Sequence, residues 1–144
     1  MKQSVAVATI FLGLLAALTV PNLRTARMRS SQKRTMADVR SIATAWEARA
    51  TDVNNYDVMP HRSEAMTSIA VRDLRRALVP TYIRDVPARD GWNRPFQFAT
   101  NGQNYFIRSS GADGRFDHYI GMTTSFDNDL VYSNGAFIEY PELS

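Results

Sequence analysis

Residues 5–21 read VAVATIFLGLLAALTVP, an apolar run with no charged side chain that closes on a proline. Its length approaches that of a membrane-spanning helix, which needs about 20 apolar residues. A basic amphipathic stretch follows directly and reaches Asp52. Together the two predict one long helix, apolar in its first half and amphipathic in its second. The first half has to be withdrawn from water by lipid, by a partner, or by each in turn.

Three readings of the run are open. As a secretory signal, Lys2 is the basic n-region and residues 5–20 the apolar h-region. As a permanent anchor, it carries more positive charge after it (Arg24, Arg27, Arg29, Lys33, Arg34) than before it (Lys2). By the positive-inside rule alone, that puts the C-terminal part in the cytoplasm. As an assembly segment, the helix sits first in a membrane and then packs against copies of itself. Gly13, Ala16 and Ala17 would permit close approach. Val5, Ile10, Phe11, Leu14, Leu15 and Leu18 would supply the apolar contact. Pro21 has no N–H to donate and clashes with the turn before it, so it predicts a break or kink.

Charge divides the chain. Residues 22–50 hold seven basic side chains (Arg24, Arg27, Arg29, Lys33, Arg34, Arg40, Arg49) against two acidic ones (Asp38, Glu47). The whole chain is only +3, so residues 51–144 are net acidic. A basic stem and an acidic head can complement each other between stacked copies. A solvated helix face explains the stem equally well, and anionic lipid would attract it too. Nucleic acid is the weaker reading and is not expected as a partner: the basic residues stand beside a membrane-type segment, and no recognisable nucleic-acid motif accompanies them.

Length and composition fit one head domain of about 90 residues behind the helix. The predicted division is residues 1–52 for the helix, with 1–22 hydrophobic and 23–52 amphipathic, and 53–144 for the head. There is no cysteine among the 144 residues, so the head must be held by packing, or by packing and a metal. On the amphipathic half, Met36, Val39, Ala43, Trp46 and Ala50 recur at three- and four-residue spacing, with Ile42 beside them. This stripe is the expected seam against the head, with Phe98, Phe106 and Leu130 expected opposite. Arg40, Glu47 and Arg49 fall off it and are expected to face solvent or neighbours.

Residues 52–60 (DVNNYDVMP) end the helix with turn chemistry. A second helix is expected over residues 68–78, on Ile69, Leu74 and Leu78, with Pro80 beyond its end. Residues 82–96 read as loop. The period then changes to two. Asn101-Gly102 and Asn134-Gly135 each stand between alternating apolar segments, the signature of hairpins. The fold class is therefore α+β, a long N-terminal helix packed on a small antiparallel sheet.

GLLAALTVPNL, residues 13–23, resembles the N-terminal helix of type IV pilins and of the pseudopilins of type II secretion. The usual early glutamate of that family has Ser4 and Val5 in its neighbourhood here. DVPARDGWNRPFQF, residues 85–98, is similar to a loop of the major pseudopilin of type II secretion; Asp90, Trp92, Pro95 and Phe96 match, and Asn93 stands where that loop has glycine. YFIRSSGADG (105–114) and FDNDLVYSNGAF (126–137) resemble the same family's later segments. Taken together, these motifs span most of the chain in the family's order. The resemblance implies the type IV pilin-like fold, and a structural subunit that polymerises through its N-terminal helix into a pilus-like filament. It implies as partners further copies of the chain, the inner membrane before assembly, and a secretion or pilus assembly machinery. The expected location is inner membrane and periplasm, or a filament at the cell surface.

Asp113, Asp117, Asp127 and Asp129 lie in or beside one loop whose turns are eased by Gly111, Gly114 and Gly121. Carboxylates with backbone carbonyls are the donors calcium takes. A solvated acidic loop is the competing reading, with Asp117 the member most simply exposed. By resemblance, calcium would be held by Asp113, by one or both of Asp127 and Asp129, and by the carbonyl of Ser110. No enzyme is expected. His61 and His118 have no motif around them, Ser109 and Ser110 lack the strand–turn–helix setting of a nucleophile, and two histidines without cysteine are too few for a zinc centre. The alternative of a different class is a membrane-anchored, calcium-binding exported domain that does not polymerise.

Overall fold

A computed structural model describes residues 2–59, 65–117 and 120–141; within the first 21, side chains are described only at Thr9, Ile10 and Gly13. Helix α1 runs from Lys2–Val53, 52 residues without interruption. The break expected at Pro21 does not occur. A proline in a helix interior removes one i→i−4 bond, and the turns on either side still hold their own. The helix ends where predicted, on Asn54, whose φ of 59° places it in the left-handed conformation common just past a helix.

Among the described residues six strands follow the order β1 (Thr67–Ile69), β2 (Gln97–Thr100), β3 (Tyr105–Ser109), β4 (Gly121–Thr123), β5 (Leu130–Ser133) and β6 (Ala136–Pro141). In space they lie β1-β2-β3-β5-β6-β4. All pairings are antiparallel except β4 with β6, which is parallel. Both Asn-Gly pairs lie in turns, as expected; Asn134 and Gly135 both have positive φ, 46° and 90°, as a two-residue hairpin requires.

One short helix, α2 (Val71–Leu78), lies between β1 and β2 and buries Leu74 and Leu78. The second helix was expected three residues earlier. Residues 67–69 instead pair with β2, Ile69 opposite Phe98, which buries Ile69 in the main core. Long-range pairing overrides the helical spacing of an isolated segment.

The core lies between α1 and the inner face of the sheet. Val39, Ile42, Ala43 and Trp46 are at most 1 % exposed, and Met36 and Ala50 are also buried. Trp46 meets Phe98 edge-on at 6.5 Å and Tyr105 at 4.9 Å, and its indole N–H donates to the Tyr56 carbonyl at 2.9 Å. Of the residues expected opposite the stripe, Phe98 joins the core cluster around Trp46; Leu130 is buried but outside that cluster, and Phe106 is not part of it. Alternation along β3 sends Tyr105, Ile107 and Ser109 inward and Phe106 and Arg108 to the outer face. Glu47 does not face solvent alone; its carboxylate accepts a hydrogen bond from the Tyr105 hydroxyl. Burial first, and that contact second, raise the Tyr105 pKa. Arg40 lies over the Phe137 ring at 5.2 Å.

Candidate functional site

Two surfaces carry the residues singled out by the sequence. The first is where the 85–98 loop meets the stem. Asp90 is buried and organises the loop's backbone: its Oδ1 accepts the N–H of Trp92 at 2.9 Å and of Arg94 at 2.8 Å, and its Oδ2 accepts the Ser109 hydroxyl at 2.5 Å. Asn93 has φ 65°, which explains a glycine-like residue at that position. The turn lies directly on α1. The Gly91 N–H donates to Thr35 Oγ1 at 2.9 Å, and that hydroxyl donates onward to the Ser31 carbonyl at 2.8 Å. A Cβ on Gly91 would stand 2.1 Å from the Ser31 carbonyl oxygen, so only glycine allows this approach. Trp92 Nε1 reaches the Met28 sulfur at 3.4 Å. The loop thus clamps the head to the stem about three to five helical turns before Trp46.

Beyond Met28 toward the N-terminus, the side chains of residues 22–27 are exposed. Ile10 is 68 % exposed, and a Cβ on Gly13 would meet nothing within 4 Å. The side chains of Val5, Phe11, Leu14, Leu15, Leu18 and Pro21 lie outside the described residues.

The second surface is the acidic loop. Gly111 is pressed against the chain at 127–128, where a Cβ would be 2.4 Å from the Asn128 carbonyl, and the Ala112 N–H donates to Phe126 at 2.8 Å. The four expected calcium positions are divided by this closure. The Ser110 carbonyl accepts the Gly114 N–H at 3.2 Å; Asp113 is exposed and caps its own turn through the Arg115 N–H at 2.8 Å; Asp127 is exposed. Asp129 is completely buried and accepts from Arg108 at Oδ2 through both Nε and a terminal guanidinium nitrogen. Among the described residues no group of three or more His, Cys, Asp or Glu side chains is placed to hold a metal. The most buried of these carboxylates, Asp129, holds a guanidinium at Oδ2, while its Oδ1 has no hydrogen-bond partner among the described residues.

The cluster around Arg108 was not foreseen. Register places Arg108, Val131 and Glu139 in one row across β3, β5 and β6 on the outer face. Arg108 also donates to the Asp117 carbonyl, while the Asp117 N–H donates to Asp129 Oδ2 at 3.2 Å. Asp117 is half-buried and held through its backbone. The Phe116 ring covers the guanidinium at 4.7 Å. Glu139 is 1 % exposed, and burial, then the nearby Asp129 charge, pushes its pKa up to about 7. Burial also raises Asp129, with Arg108 opposing. Period-two reading of YFIRS, which puts Arg108 beside Phe106 on the outer face, was the available signal.

Ser109 is engaged by Asp90, and His61 and His118 lie outside the described residues. The profile of the family described as "Type II secretion system (T2SS), protein G" matches residues 22–119. The chain belongs to that family. Among curated relatives, the type II secretion system core protein G of Aeromonas hydrophila is 30 % identical over 114 residues, covering 76 % of this chain and 79 % of that protein. The core protein G of Pectobacterium carotovorum subsp. carotovorum is 28 % identical over 115 residues, covering 75 % and 71 %. No solved structure gives a significant match. The protein G match covers both the clamp loop and the first part of the acidic loop, so these two surfaces belong to the part of the chain shared with the family.

Proposed function

We propose that this chain is a structural subunit that polymerises through the N-terminal half of α1 into a filament of the type II secretion pseudopilus kind. The observation that carries the reading is the division of one helix. From Met28 to Ala50 it is fastened to the head, whereas the charge-free run 5–21 lies before this fastened part, with Ile10 exposed. Assembly buries that run against neighbouring copies, and the free energy comes from the apolar area removed from solvent or lipid. The basic residues 24–34 would face acidic heads of adjacent copies.

Before assembly the same run would hold the subunit in the inner membrane with the head in the periplasm, where a secretion machinery extracts it. Among the described residues no helix is long and apolar enough to cross a membrane, so this step belongs to the proposal. A filament extending from the cell surface is the variant of the same mechanism.

Ile10→Lys tests the reading. An unpaired charge in a closely packed apolar interior costs several kcal/mol. Filaments seen by electron microscopy for the wild type should be absent for the variant, while the near-ultraviolet circular dichroism of the head is kept. Normal filaments from Ile10→Lys would overturn it. A wild type that stays membrane-bound and never polymerises would favour the anchored exported domain.

A further inference from the structure

The acidic loop that a divalent cation would be expected to close is closed by a side chain of the chain itself. We propose that the Arg108 guanidinium is the resident cation of this loop, so that the head folds and stays folded without calcium. A bound calcium would draw on carboxylate and carbonyl oxygens. Arg108 already draws on both, through the Asp129 carboxylate and the Asp117 carbonyl. It holds them from the rigid middle of the sheet, since Arg108 pairs with Gln97 on one side and Val131 on the other. Its side chain is 16 % exposed and Asp129's is 0 %, so the pair is shielded from water and salt. Phe116 seals the outer side of the guanidinium.

A planar fork with five donors suits this task better than a point charge, because one group spans the carboxylate and the loop backbone together. The other side chains expected to bind metal, Asp113 and Asp127, are left in solvent. The inference concerns folding of the head and does not depend on whether the chain polymerises.

The test is thermal unfolding of the full chain in detergent, followed by near-ultraviolet circular dichroism, in excess calcium and in excess EGTA. Terbium luminescence provides direct detection of a lanthanide in a calcium site. The wild type should melt at the same temperature in both media and show no saturable terbium signal. Arg108→Gln should melt roughly 10–20 °C lower, because it leaves buried carboxylate without its partner. Arg108→Lys should recover only part of that loss. Stabilisation of the wild type by calcium, saturable terbium binding displaced by calcium, or an Arg108→Gln variant that melts like the wild type would each overturn the proposal. Should Arg108→Gln fail to fold, the two wild-type measurements still decide.

Discussion

Gly91 shows how one missing methyl group fixes a tertiary contact. Its N–H reaches Thr35, and a Cβ there would enter the Ser31 backbone. Helix backbone cannot yield as a flexible side-chain tip can, so Gly91→Ala must lift the loop off the stem. The expected cost is about 1–3 kcal/mol, the usual range for overpacking, measured by denaturant unfolding of the full chain. A stability equal to wild type would show that the loop does not lie against Ser31. The sequence indicated the loop and the left-handed residue within it, because Asn93 belongs to a local turn pattern. It did not indicate which glycine touches the stem, since that contact joins residues 60 positions apart and leaves no periodic trace.

At the scale of the element, α1 is read from its stripe with little ambiguity. Met36, Val39, Ile42, Ala43 and Trp46 are all buried as the spacing requires. Trp46→Ala should destabilise the head by roughly 3–5 kcal/mol, because it removes a large fully buried ring and orphans the Tyr56 carbonyl. Chemical denaturation monitored by far-ultraviolet circular dichroism checks this; a change below about 1 kcal/mol would contradict the burial. Two elements were read less well for identifiable reasons. Pro21 is a strong local signal for a break, yet a long helix tolerates one lost bond. Ile69 fitted helical spacing with Leu74 and Leu78 but is claimed by β2, a partner some 30 residues away. Phe106 was misplaced by one step of the strand period, which is enough to move a side chain through the sheet.

Across the whole molecule, the least legible feature was the polar row on the outer face of the sheet. Arg108 and Glu139 stand in line on either side of Val131 only because β3, β5 and β6 are neighbours in register, and Asp129 joins them from the residue just before β5. Its signature should appear in the pH dependence of stability. Glu139 has an ordinary pKa of 4.5 and a folded pKa of about 7, so the folded state retains a proton that the unfolded chain releases. Stability should therefore fall as pH rises from about 4.5 to about 7 and level off above that. Asp129, also raised, adds in the same direction at the acid end. Glu139→Gln should flatten the fall and melt higher than wild type at pH 8. Parallel melting curves of the two proteins from pH 5 to 8 would show that Glu139 stays ionised in the fold.

The clamp at Met28, Ser31 and Thr35 has a mechanical consequence. From Met28 to Ala50 the head lies along 23 residues of α1, roughly 33 Å of helix at 1.5 Å per residue. A load applied along the helix axis is then resisted in shear, with the indole seam and the glycine contact sharing it along the whole length. Without the clamp, the same load would act on one end of the seam and peel it open residue by residue. The two contacts also fix the direction of the helix relative to the head, so a tug on the apolar end turns both as one rigid body.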